Sequence, residues 1–206
     1  MNPNPHPPVA RPLRGLVLAG GLSSRMGTDK AALIHPDGRP LARRTCDLLA
    51  AAIGHPPVLS LRHPQAMPPG FADPPDVEIL RDPEGGSHGP LSGMLAAMDL
   101  DSAATWLVLA TDLPRLDAAT LANLIDSIDP DEPFLAYRSE SDGLPEPLCA
   151  LYTPAARPIL AAAAEAGMRC PRKILIRHHC RLLDPTTHHA LDNANTPDEW
   201  LAARIP

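Results

Sequence analysis

Short apolar runs alternate along this chain with longer stretches of helical periodicity. Residues 14–20 (RGLVLAG) are apolar and end in glycines, the pattern of a strand covered on both faces. Residues 41–53 (LARRTCDLLAAAI) repeat their apolar positions at helical spacing. Strands are expected at 58–61 and 77–80. A helix is expected at 91–98, with Pro90 near its first turn, where a missing N–H costs no hydrogen bond. Residues 106–110 (WLVLA) predict another buried strand, and 116–128 a helix capped by Asp117. Strands at 134–137 and 148–152 follow, then an Ala-rich helix at 154–166 closed by Gly167. A last helix is expected from about Pro197, capped by Thr196. Such alternation predicts an α/β layered fold with a mostly parallel sheet. Ligands of such sheets bind beyond the carboxyl ends of the strands, near a topological switch point. Three connections stand out: a Gly/Ser loop at 21–30, a Pro-Asp-Gly turn at 36–38, and a proline-rich stretch at 62–76 for which the sequence suggests no role.

Composition narrows this picture. A length of 206 residues without a shift in composition or an internal repeat favours one domain, residues 14–206, behind a flexible proline-rich tail at 1–13. Aromatics are only 3% of the chain, so Leu, Ala, Val and Ile must build the core. The net charge of −6 offers no electrostatic footprint for nucleic acid. An anionic substrate must then be held by a few local cations and backbone N–H groups. No run of about 18 apolar residues is present, which excludes a membrane span. The start lacks the apolar run of a signal peptide, and the four cysteines are scattered without a C-x-x-C, which together predict free thiols in the cytoplasm. Cys149 reads as a buried small hydrophobe, and Met94 and Met98 as core. The pairs His178-His179 and His188-His189 lie near Cys170 and Cys180 but match no standard zinc spacing, and surface histidines explain them more simply.

Candidate chemistry concentrates in residues 18–30, LAGGLSSRMGTDK. Gly20, Gly21 and Gly27 free the backbone for close approach to a ligand, and successive N–H groups can converge on phosphate oxygens. Arg25 and Lys30 add two full charges to the same loop. No Gly-Lys-Ser/Thr follows, so this is no Walker A loop, and G-x-G-x-x-G is absent. Asp112 follows the strand 106–110 one residue on, after Thr111, where a carboxylate points into the ligand crevice and suits Mg²⁺. Asp82 ends strand 77–80 in the same way, and 85–90 leads into a helix N-terminus. Asn193 and Asn195 alternate so that both side chains can face one side. Arg172 and Lys173 follow Pro171 near a short helix. On pattern alone, plain turns, capping aspartates and solvated cations compete with each of these readings.

The loop LAGGLSSRMGTDK resembles the signature of the molybdenum cofactor guanylyltransferase family, and further matches follow in order. They are Asp82, Gly89-Pro90-Leu91-Ser92-Gly93, Thr111-Asp112-Leu113-Pro114 and Asn193-Ala194-Asn195-Thr196-Pro197. The resemblance implies a Rossmann-like three-layer α/β/α fold of nucleotidyltransferase type. It implies Mg²⁺-dependent transfer of GMP from GTP to molybdopterin, releasing pyrophosphate. Nucleotide-binding positions would be Leu18, Ala19, Gly20, Gly21, Ser23, Arg25, Gly27, Lys30, Asp82, Gly89, Pro90 and Asp112. Arg25, Lys30 and Asp112 would be catalytic, with Asp112 holding the metal, and Asn193, Asn195 and Arg172 would face the acceptor. Implied partners are the proteins of molybdenum cofactor synthesis and a recipient molybdoenzyme. The family often places a polar group near the end of the second strand, and Ser60 is the nearest candidate. Two alternatives stay open: a cytidylyltransferase or other NTP transferase with a different phosphorylated acceptor, and a non-catalytic GTP-binding module. The Leu-Ala-Gly-Gly and Gly-Pro-Leu-Ser-Gly motifs resemble the guanylyl branch, since the cytidylyl branch typically has alanine at the first glycine.

Overall fold

The computed structural model describes residues 12–21, 29–73, 75–82, 89–194 and 199–200. Its centre is a seven-stranded sheet in the order β3-β2-β1-β4-β6-β5-β7. The first three strands are β1 (Leu13–Leu18), β2 (Val58–Leu61) and β3 (Glu78–Arg81), and β4 is Thr105–Ala110. These four pair in parallel, with β1 between β2 and β4. A hairpin of β5 (Phe134–Arg138) and β6 (Pro145–Tyr152) adds β6 antiparallel to β4. The short β7 (Arg181–Leu183) then joins β5 in parallel. All strands except β6 therefore end at the same edge. The order reverses between β1 and β4, so the loops after these two strands diverge and leave a crevice between them.

Alternating side chains give each face its own core. Val17, Leu59, Leu107, Leu109 and Leu151 point to one side, under α1 (Leu41–Ile53) and α3 (Ala118–Asp126). Leu16, Trp106, Val108, Phe134 and Tyr152 point to the other, under α2 (Pro90–Leu100), α4 (Ala156–Glu165) and α5 (Pro171–Arg177). Each fully buried leucine contributes roughly 2 kcal/mol by leaving water. In the second core Phe134 meets Tyr152 edge-on, with ring centroids 5.7 Å apart. This is the expected three-layer α/β/α fold with a mostly parallel sheet. Among the described residues no helix is long and apolar enough to cross a membrane.

Several boundaries move. Strand β1 begins at Leu13, inside the expected tail, because Leu13 pairs with Thr105 and Pro12 C=O accepts from Thr105 N–H. Helix α3 starts at Ala118, not residue 116, since Asp117 is its N-cap and accepts from Thr120 N–H at 2.8 Å. It stops at Asp126, with residues 127–128 in a tighter turn. Helix α4 starts at Ala156, after a turn at 154–155. The helix expected from Pro197 lies outside the described residues except for Glu199 and Trp200, which are helical. Residues 1–11 of the expected tail lie outside them too.

Candidate active site

Beyond the ends of β1 and β4 lies a cleft of about 330 Å³. Leu18, Ala19, Gly20, Gly21, Lys30, Asp82, Gly89, Pro90 and Asp112 all line it, nine positions singled out in the sequence. Ser60, at the end of β2, lines it as well. Ser23, Arg25, Gly27 and Asn195 lie outside the described residues, as does 85–88.

The local chain explains why these groups converge. Ala19 leaves β1 with its N–H donated to Ser60 C=O at 3.0 Å. Gly20 passes so close to β2 that a Cβ there would lie 3.1 Å from Arg62 N. After residues 22–28, Asp29 caps a single 3₁₀ turn, Lys30–Ala32, by accepting from Ala31 N–H at 3.0 Å. That turn points Lys30 across the crevice, where its Nζ lies 3.3 Å from Asp112 Oδ2, half-buried. The other oxygen, Asp112 Oδ1, is buried with no hydrogen-bond partner among the described residues. A buried anionic oxygen without a donor is costly unless a cation or ligand meets it. The donor set therefore fits a hard divalent cation, with Asp112 as its carboxylate.

Helix α2 closes the opposite wall. Gly89 caps it in a conformation open to glycine (φ 146°), and among the described residues no side chain caps the first turn, whose end faces the cleft. Its positive dipole end then favours an anion there. The helix also sits very near the strand ends: a Cβ on Gly93 would lie 2.6 Å from Ser60 Oγ and 2.9 Å from Leu18 Cδ2.

Of the expected acceptor residues, Asn193 and Arg172 lie along the same sheet edge. Ala194 N–H donates to Asp112 C=O at 3.0 Å, which docks the exposed Asn193 beside the β4 end. Arg172 does not line the cleft; it pairs with Asp142 and Glu146, each at 2.9 Å. The hydrogen bond from Leu144 N–H, aided by Arg172, holds the Asp142 carboxyl below its ordinary range. Farther out, Glu140, His188 and His189 are the metal-ligand group found among the described residues, all three exposed. One nitrogen of each ring, Nδ1, is engaged, in His188 by Glu140 and in His189 by Asp192 at 2.9 Å. Neither Cys170 nor Cys180 joins them, and all four cysteines are free. The residue that sequence reasoning missed is Gln65, in the proline-rich connection, which is 8% exposed and bonded to both Ala19 and Asp29.

Comparison with known proteins is consistent with this geometry. Residues 15–182 match the model of the MobA-like NTP transferase domain family. A molybdenum cofactor biosynthesis bifunctional protein of Synechocystis is 36% identical over 92% of this chain, which spans 53% of that protein's length. A probable molybdenum cofactor guanylyltransferase of Nostoc is 33% identical, covering 91% of this chain and 88% of its own. In fold, the chain is similar to molybdopterin-guanine dinucleotide biosynthesis protein A of Archaeoglobus fulgidus, with TM-score 0.70, 21% identity, and 93% and 96% of the two chains covered.

Proposed function

The chain belongs to the MobA-like NTP transferase domain family, and from that premise we propose that this nucleotidyltransferase moves GMP from GTP to molybdopterin with release of pyrophosphate. The observation that carries the proposal is the meeting of Lys30 and Asp112 in one cleft, with an unpartnered carboxylate oxygen beside them.

The chemistry asks little of the protein. An oxygen of the acceptor's phosphate monoester attacks the α-phosphorus of GTP. The bond from that phosphorus to the β-phosphate bridging oxygen breaks, and its electron pair leaves on pyrophosphate. The acceptor phosphate is largely ionised at neutral pH, its second pKa being about 6, so no general base is required. The work left is alignment of two anions and neutralisation of their repulsion. Lys30 places an ammonium against the phosphate chain, and the start of α2 offers N–H donors. Asp112 would hold Mg²⁺, which supplies positive charge to the phosphate oxygens when bound. Asn193, docked beside Asp112, faces the acceptor side, and Arg172 lies farther along that edge. Free thiols and the reaction itself suit the cytoplasm, and a recipient molybdoenzyme is the partner implied for the product.

The test is pyrophosphate release with Mg²⁺, each NTP in turn, and molybdopterin. GTP is expected to turn over best. Preference for CTP would move the chain to a cytidylyl role, and tight GTP binding without pyrophosphate release would leave a binding module.

A further inference from the structure

We propose that Gln65 is the positioning residue that ties together the two chain segments entering and leaving residues 20–28, and so sets the affinity for the triphosphate. The proposal rests on the nucleotidyl-transfer reading above. Gln65 belongs to the non-helical crossover from β2 to β3 and is 8% exposed. A leucine would fill the same space, so a buried amide there is unfavourable unless its polar atoms are used. They are. Nε2 donates to Ala19 C=O at 2.9 Å and to Asp29 Oδ2 at 2.8 Å, while Oε1 accepts from Arg62 N–H at 3.2 Å. Gln65's own backbone is held on both sides, donating to Arg62 C=O at 2.9 Å and accepting from Arg81 at 2.7 Å.

The two Nε2 contacts lead to groups that line the cleft. Ala19 is the last residue before Gly20 and Gly21, and its N–H is already fixed to Ser60, so Gln65 fixes the other face of the same segment. Asp29 uses its remaining oxygen to cap the 3₁₀ turn that aims Lys30 at Asp112. One side chain thus reaches both flanks of residues 20–28. Only an amide of this length has two donors and an acceptor to do so. A carboxylate at this position would lack both donors and would face Asp29 with a like charge.

The test compares Gln65→Glu, Gln65→Leu, Asp29→Asn and the double variant Asp29→Asn/Gln65→Glu, with Tyr137→Phe as a control. That control loses a buried hydrogen bond to Thr120 in α3, and neither residue lines the cleft. Steady-state kinetics use whichever NTP the wild-type protein turns over. Both Gln65 single variants should raise KM for the NTP about tenfold or more, leaving KM for the acceptor unchanged. In the double variant donor and acceptor exchange places across the gap to Asp29, so the part of the loss that comes from that contact should return, while the hydrogen bond to Ala19 C=O stays lost. Tyr137→Phe should lower the melting temperature without moving KM. Wild-type KM for the NTP in Gln65→Leu and Gln65→Glu, or a double variant no better than Gln65→Glu, would overturn the proposal and leave the transferase reading intact. Absence of both NTP binding and turnover in the wild-type protein would instead remove that reading and this one together.

Discussion

Asp112 divides its two oxygens between tasks, one facing Lys30 at 3.3 Å and one buried without a partner among the described residues. Asp112→Asn keeps the shape and an acceptor for Lys30 but removes the charge that a metal requires. Turnover should fall by about 100-fold or more while thermal stability changes little, measured as pyrophosphate release beside a melting curve. A melting temperature that drops in parallel with activity would point to a structural role instead. The thiols give a second residue-scale prediction. Burial pushes Cys46 up to about 12 and Cys149 higher still, and Cys180 up to about 12, whereas Cys170 is exposed. Since the thiolate is the reactive form, alkylation of the native protein at pH 8 should mark Cys170 first, with Cys46 and Cys149 reacting only on unfolding. Mass mapping of the labelled peptides checks this order. Lys30, Asp112 and Cys149 were legible in the sequence because each is defined by its neighbours in the chain. Gln65 was not, because a glutamine among prolines reads as solvated, and its partners lie 36 and 46 residues away.

Elements bounded by strong local punctuation were read correctly. Helix α1 runs from Leu41 to Ile53 as expected, between Pro40 and a left-handed Gly54. Strand β7, three residues long and partly exposed, carries no run from which it could be read. The antiparallel direction of β6 is also invisible locally, since buried strands of either direction show the same apolar run. Helix α3 supports a prediction about its cap. Burial raises the Asp117 pKa, but hydrogen bonds from Thr120 and Thr187 and the charge of Arg44 outweigh it, so the net shift is downward. A lowered folded-state pKa means stabilisation that is present above the ordinary carboxylate range, near 4, and lost as pH falls through the folded value. Asp117→Ala should cost about 1 kcal/mol in urea denaturation at pH 7, and its gap to wild type should narrow as pH falls below 4. Gly93 tests the packing of α2. Gly93→Ala places a methyl 2.6 Å from Ser60 Oγ and 2.9 Å from Leu18 Cδ2, so these side chains must turn aside or the helix must shift from the strand ends. Overpacking of this kind costs about 1–3 kcal/mol, and KM for the NTP should rise because the same helix start lines the cleft.

At the scale of the whole molecule, the alternation of strands and helices carried the layer architecture, and with it the location of the site at the carboxyl edge. The strand order did not follow from it, because pairing of β1 with β4 joins residues about ninety positions apart, as in Leu13 with Thr105. That order matters for stability as well as function: the cleft lies where the two halves of the sheet diverge, and a ligand there contacts groups from β1, β2, β4 and α2 together. Binding should therefore stabilise the fold as a unit. A ligand at about 100 times its Kd adds roughly 2.7 kcal/mol to unfolding, which for a chain of this length corresponds to about 5–10 °C in melting temperature. Mg²⁺ with GTP should give such a shift, and GTP with a chelator much less, because the phosphates would then face the carboxylate of Asp112 with only Lys30 and no divalent cation to offset the repulsion. Asp112→Asn should reduce the metal-dependent part of the shift, since it removes the carboxylate proposed to hold the metal, while Gln65→Leu should need more nucleotide to reach the same shift. Differential scanning fluorimetry across a nucleotide titration separates the two cases: an equal midpoint concentration in wild type and Gln65→Leu would mean that the loop is held by something other than that amide.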